Sequence, residues 1–290
     1  MNDMENKDAN SAINQGYQEF TYKENYVYDK GWDKYAEDYS QLLKPGTTYY
    51  LTKEIAHQIV SEFLPGDNGI SVLDLNCGTG NDFPYFLKNG WKICGCDGSD
   101  GMLNKAYEKY KAEINNGQIE LFNGKLENLD EQSFGNRKFD LIYSITGGYS
   151  YIDNETFIHV NTTLSHFLKE NGVMITAHLN NFCLSDTLYN LFRFRLKSIF
   201  LRLDKNLNVN IKGVKFRMYL RNVNELKKLT PPGLKMIRTL PLLVFTPPYQ
   251  TGYQPTKLLY KIHRKFEMKL LKIPFFGFIA DQIVTVYRKT

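Results

Sequence analysis

The spacing of apolar positions divides most of the chain into alternating helices and strands. Residues 50–64 carry Ile55, Ile59 and Phe63 at helical spacing, and Pro65-Gly66 stops the run. Residues 70–75, ISVLDL, form a short apolar run ending in an acid, the pattern of a strand buried on both faces. A glycine-containing turn follows, then a short helix over 81–89 closed by Asn89-Gly90. The same alternation predicts strands over 91–96, 118–122, 139–145 and 172–179, with helices over 100–111 and 155–168. Five apolar strands joined this way need right-handed crossovers. The pattern therefore predicts an α/β fold with a parallel sheet covered on both faces.

The alternation weakens after residue 180. Residues 182–206 read as one basic amphipathic helix, and 212–222 as a strand. A short helix over 223–230 is stopped by Pro231-Pro232-Gly233. Two late strands, 234–245 and 279–288, flank a basic helix over 256–272. The expected organisation is a core over 50–180, an inserted cap over 181–233, and the last strands of the core over 234–290. Residues 1–20 are polar and read as a disordered tail, without the apolar stretch of a signal peptide.

Charge is unevenly distributed. From Phe182 onward there are 21 Lys+Arg and 5 Asp+Glu, a net of +16, whereas residues 1–181 carry a net of −11. Such a split leaves two readings: complementary faces within the protein, or a basic segment that meets an anionic partner. The most apolar late stretch, Ile273 to Val286, is interrupted by Pro274 and Asp281 and is shorter than the roughly 20 residues a spanning helix needs. Cys77, Cys94, Cys96 and Cys183 read as reduced, buried thiols of a cytoplasmic protein. No carboxylate and histidine cluster has metal-ligand spacing.

The chemistry concentrates in VLDLNCGTGND, residues 72–82. In an open parallel sheet, ligands bind beyond the carboxyl ends of strands, where strand order reverses. Gly78 and Gly80 allow a tight turn and close backbone approach. Asp97 ends the next strand, where an acid accepts both hydroxyls of a ribose. Together these describe a site for a nucleoside-containing cofactor. The dinucleotide fingerprint requires a third glycine, and Phe83 stands there instead, which counts against NAD.

Residues 72–106 resemble the signature region of class I S-adenosylmethionine (SAM)-dependent methyltransferases through Asp74, Gly78, Gly80, Asp97, Ser99, Met102, Leu103 and Ala106. The resemblance implies a Rossmann-like, seven-stranded doubly wound sheet with SAM as cofactor and S-adenosylhomocysteine as product. WDKYAEDY, residues 32–39, resembles that family's N-terminal lid helix, so residues 21–49 are expected as lid helices with Tyr39 over the cofactor. The loop Asn76, Cys77, Gly78 and Gly80 would face the methionine part and Asp97 the ribose hydroxyls, with Gly98 and Ser99 also binding the cofactor. Met102, Lys125 and Leu126 would border the adenine. Ser144 and Ile145 would lie beside the sulfonium. Two positions depart from the family's pattern. Asn76 replaces its first glycine, but Asn tolerates positive φ. Lys125 replaces an Asp that accepts from the adenine amino group.

Methyl transfer needs alignment and exclusion of water more than any obligatory residue type. His178, at the end of the fifth strand, is the candidate base, and Tyr149 and Tyr151 are candidates to orient the acceptor. TPPY, residues 246–249, resembles a motif of amino-methylating nucleic-acid enzymes but lacks its leading Asn or Asp, and reads as a rigid turn. The preferred expectation is a methyltransferase acting at O or N of a small-molecule or biosynthetic acceptor; a basic cap could suit an anionic acceptor or one held on an acidic carrier protein. The alternatives are a nucleic-acid methyltransferase using the basic segment, and a non-catalytic SAM-binding or membrane-surface protein.

Overall fold

A computed structural model describes residues 28–289, apart from 65–68, 146, 205 and 212. The expected tail, the first part of residues 21–49 and the Pro65-Gly66 stop lie outside the described residues.

The chain enters through helix α1 (Tyr28–Ser40) and α2 (Thr48–Phe63), the latter capped by the Thr47 hydroxyl accepting from Tyr50 N. Then come β1 (Ser71–Leu75), α3 (Phe83–Lys88), β2 (Lys92–Asp97), α4 (Asp100–Lys109), α5 (Lys111–Asn115) and β3 (Ile119–Asn123). These are followed by β4 (Phe139–Ser144), α6 (Asn154–Phe167) and β5 (Leu168–Leu179). Strands β1 to β5 pair in parallel. After an insertion come α9 (Val223–Lys228), β8 (Leu234–Leu242), α10 (Lys257–Leu270) and β9 (Gln282–Lys289). Strand β9 lies antiparallel between β5 and β8, giving a seven-stranded sheet of order β3-β2-β1-β4-β5-β9-β8.

Side chains alternate across this sheet as the two-residue period demands. Val72, Leu141 and Tyr143 face a core with Ile55 and Ile59 of α2 and Phe86 of α3. Leu73, Leu75 and Ile142 face the opposite core with Phe157 and Leu164 of α6 and Leu226 of α9. Both faces are therefore covered, which explains the near-continuous apolar strands read from the sequence.

The insertion differs from its expected form. Residues 182–206 are not one helix. Helix α7 (Leu184–Phe192) ends where Phe194 takes a positive φ of 56°, and a short α8 (Leu196–Ile199) follows. The predicted strand over 212–222 is the second half of a hairpin, β6 (Asn206–Ile211) and β7 (Val214–Tyr219), turned at Gly213 with φ 83°. Strand β6 alternates Leu207, Val209 and Ile211 with asparagines, which are depleted in strands and hid the pattern.

Candidate active site

Beyond β1 the backbone turns sharply, with positive φ at Asn76 (55°), Gly78 (56°) and Gly80 (72°). Asn76 thus adopts the left-handed conformation that glycine usually supplies, and its Oδ1 accepts from the Ser144 hydroxyl at 3.3 Å. A Cβ on Gly148 would lie 2.4 Å from that Asn76 oxygen, so only glycine lets the loop after β4 close on this turn.

Asp97 receives the turn from the other side. Gly78 N donates to its Oδ2 and Ser99 N to its Oδ1, each at 2.9 Å. Burial pushes its carboxyl up to about 6, Asp33 adds to the rise, and the amides of Ser99 and Gly78 hold it back. Ser99 also caps α4 by accepting from Met102 N. Its hydroxyl donates to Asp33 Oδ1 of α1 at 2.6 Å, and Gly101 N donates to the same oxygen at 2.8 Å. A Cβ on Gly101 would lie 2.7 Å from the Asp33 Cα, so this glycine is what allows α1 to dock on α4.

Behind the turn lies a buried polar cluster that the sequence reading missed. Asp82 accepts from Lys53 Nζ at 2.5 Å, His57 Nε2 at 2.7 Å and Tyr143 OH at 3.2 Å. Burial raises its carboxyl, but Lys53 and His57 outweigh that and hold it ionised, well below the usual carboxylate range. These partners lie 25 to 61 residues from Asp82, so no local motif announces them.

The turn, α1 and the insertion surround one cavity of about 1020 Å³, counting the part open to solvent. Asn76, Gly78, Asp97, Gly98, Ser99 and Met102 line one end, with Lys125 and Leu126 beside them. Tyr39 and Ile145 also reach it. The other end is aromatic and apolar. Trp32 of α1 packs edge-on against Tyr151 at 5.8 Å and contacts Phe216 of β7 at 5.7 Å between ring centroids. Tyr249 packs edge-on against Tyr49 at 5.3 Å, and Leu179 and Met218 complete this end. Gln250 also lines it, and its buried Oε1 has no hydrogen-bond partner in the protein. The TPPY run is indeed a turn, but its Tyr249 is a wall of the cavity rather than a bystander.

Several expected residues do not reach the cavity. His178 is wholly buried on the other side of β5, where its Nε2 meets Thr176 Oγ1 at 2.9 Å and Thr285 Oγ1 at 3.1 Å. Burial, then Arg221, holds its imidazole well below its ordinary value and therefore neutral. Tyr149 is equally buried and donates to Asn161 Oδ1 at 3.0 Å. Neither can serve a reacting atom in the cavity, and both are corrected to packing roles. Asp74, Cys77, Gly80 and Ser144 are buried behind the wall. Burial and the neighbouring Asp82 push the Asp74 carboxyl well above its usual range, so it is held neutral. What the sequence did not single out is Arg221, 2% exposed just past β7. Its guanidinium donates to the carbonyls of Tyr149 at 3.1 Å and Ile152 at 2.6 Å, and to Asn154 Oδ1 at 2.9 Å. It thereby clamps the segment that carries Gly148, Tyr151 and Ile152 into the cavity.

Residues 72–172 match a family model described as a methyltransferase domain. An uncharacterized protein of Haemophilus influenzae is 32% identical over 151 residues, 51% of this chain and 56% of that protein, so the match spans little more than half of the relative's length. Among solved structures, the CcbJ methyltransferase of Streptomyces caelestis superimposes with a TM-score of 0.59 at 15% identity, covering 91% of this chain and 100% of that one. A SAM-dependent methyltransferase of Clostridium acetobutylicum gives a TM-score of 0.53 at 16% identity, covering 89% and 98%. DhpI, solved as a complex with SAH, gives 0.50 at 12% identity, covering 90% and 94%. These likenesses establish the shared fold. The chain thus shares the fold of the SAM-dependent methyltransferases, and residues 72–172, which hold the glycine turn and the Asp97 strand end, resemble a methyltransferase domain.

Proposed function

We propose that the chain transfers a methyl group from SAM to the oxygen or nitrogen of a small-molecule acceptor enclosed in this cavity. One observation carries the reading: a single chamber joins the Asp97 end to an aromatic end roofed by α1 and the β6–β7 hairpin. On this reading α1 is a lid and residues 180–222 are an acceptor cap.

The residues present fit the cofactor. The Asp97 carboxylate would accept the ribose hydroxyls on its remaining lone pairs, beside the amides of Gly78 and Ser99 that hold it in place. Met102 and Leu126 would flank the base, with Lys125 at its edge in place of the usual acid. The turn at Asn76–Gly78 would approach the amino-acid tail closely because glycine leaves room beneath Tyr39. When bound, SAM supplies a methyl group already activated on a sulfonium. Tyr39 and Trp32, which line the cavity, would offer electron density to such a cation.

The acceptor end holds Tyr151, Leu179, Met218, Tyr249 and Gln250. No histidine lines it among the described residues, so an acceptor atom with its own lone pair suits it better than a carbon that must first lose a proton. Gln250 Oε1 would accept from an O–H or N–H of the acceptor. The aromatic walls would exclude water and hold the acceptor in line.

Calorimetric titration with SAM, repeated on Asp97→Ala, tests the cofactor half. Transfer of labelled methyl from SAM to a panel of small hydroxyl and amine compounds, beside RNA and protein, tests the acceptor half. SAM binding that Asp97→Ala does not weaken would overturn the first, and labelling of RNA or protein alone would overturn the second.

A further inference from the structure

The insertion and α10 together form a surface that the methyl-transfer reading does not use. Past Phe192 the residues Phe192–Lys197 all stand exposed, with Phe194 at 89% and Phe192 at 78%. Phe194 holds a left-handed backbone conformation, unfavourable for a bulky side chain, that is offset by no packing of its ring. Helix α10 exposes Leu258, Ile262 and Phe266, and the turn after it exposes Ile273, Phe275 and Phe278.

These segments form one face. Leu184 N donates to Ile279 O at 2.9 Å, and the Ser185 hydroxyl to Thr246 O at 3.1 Å. The Arg193 guanidinium lies over Tyr189, which packs on Tyr253, which stacks on His263 of α10. Phe245, Phe276, Phe275 and Phe278 form a second, separate run of aromatic contacts.

The charge on this face is mostly of one sign, with exposed Asp204 at its border and Arg264 paired with Glu54. Over residues 184–203 and 257–278 every exposed charged side chain is basic, nine in all, beginning with Arg193, Arg195 and Lys197. The two acids in these stretches are buried. Asp186 is bonded to Arg202, and Glu267 accepts the amides of Val244, Phe245 and Thr246.

We infer that this face docks the protein on an anionic lipid bilayer. Exposed apolar side chains interleaved with cations match the two forces of interfacial binding, burial in the acyl boundary and attraction to anionic headgroups. A second copy of the chain would bring nine cations against nine, which opposes self-association. A single-stranded nucleic acid would answer the cations and the phenylalanines by stacking, but not Leu196, Leu203, Leu258 and Ile262, which offer no stacking platform. The inference rests on the surface and is independent of the methyl-transfer reading.

Co-sedimentation of the full chain with vesicles of phosphatidylcholine alone, and of phosphatidylcholine with a quarter phosphatidylglycerol, tests it. The protein is expected on the anionic vesicles and not on the neutral ones. Exposed on a surface turn, Phe192→Ser with Phe194→Ser leaves the core intact and should weaken binding about tenfold. Replacing Arg193, Arg195 and Lys197 by Gln should do the same or more. The emission of Phe194→Trp should be quenched by lipids brominated on the acyl chain. Sedimentation that is absent, equal on both vesicles, or unchanged by the Phe and Gln variants overturns the proposal. So does retention on RNA, or concentration-dependent dimerisation, that the Phe variant abolishes while vesicles are ignored.

Discussion

Asp33 of the first helix accepts the hydroxyl hydrogen of Ser99 at 2.6 Å, while the amide of that same serine donates to Asp97 at 2.9 Å. One residue therefore links the N-terminal helix to the proposed ribose-binding acid. Asp33→Ala removes two hydrogen bonds to a carboxylate and should weaken SAM binding about tenfold, a loss of roughly 1.4 kcal/mol. Gly101→Ala should have a similar effect by pushing the same helix away, since its Cβ would meet the Asp33 backbone. SAM affinity unchanged in both variants would remove the helix from the binding site.

The Asp97 carboxyl, raised to about 6 chiefly by burial, makes SAM affinity depend on pH. Only the ionised form can accept both ribose hydroxyls. As pH falls through 6, the protonated fraction of the free protein rises, so Kd should weaken, by about tenfold per unit once below 6. Above pH 7 the affinity should be flat. In Asp33→Ala the midpoint should move down, because Asp33 contributes to the rise. Calorimetry from pH 5 to 8 on both proteins checks the direction.

The two tryptophans report different places. Trp32 lines the cavity, whereas Trp91 is buried and stacks on Phe86 at 5.8 Å. SAM should change the emission of the native protein, and Trp32→Phe should abolish that change while leaving binding measurable by calorimetry. A full response surviving in Trp32→Phe would mean that the cavity is not where SAM sits.

Arg221 and His178 separate positioning from packing. Arg221→Lys cannot reach both carbonyls and Asn154, so it should cost about 2–4 kcal/mol through buried carbonyls left without donors. Because the clamped segment carries Tyr151, it should also raise the acceptor KM more than the SAM Kd. His178→Ala should cost a similar amount, about 2–4 kcal/mol, by opening a cavity in the core. Held neutral by burial, His178 should contribute no limb to the pH–rate profile, and the alanine variant should keep the native profile. A lost limb would restore it as a base.

The cofactor end was legible because its residues lie in one stretch of local signals: a strand, a glycine turn and an acid at the next strand's end. Asn76 was read to tolerate the left-handed turn, and it adopts it. The acceptor end was not legible because it is assembled from Trp32, Tyr151, Met218 and Tyr249, residues brought together only by tertiary folding. His178 shows how narrow the margin is. Its strand and its end were read correctly, but side chains alternate along a strand, so Leu179 faces the cavity and His178 the opposite core. The long basic helix failed for a different reason. Composition and amphipathic spacing persist through 182–206, but the Phe194 backbone breaks them, and no glycine or proline marks the place.

The β6–β7 hairpin belongs to a sheet of its own, inserted between β5 and the pair that finishes the main sheet. On the proposed reading the hairpin reaches the recipient's end of the chamber through Met218, while its Phe216 braces Trp32 of α1. A change at Met218 alone can therefore reshape the room for a recipient while the glycine turn and Asp97, far off along the chain, keep their hold on the donor.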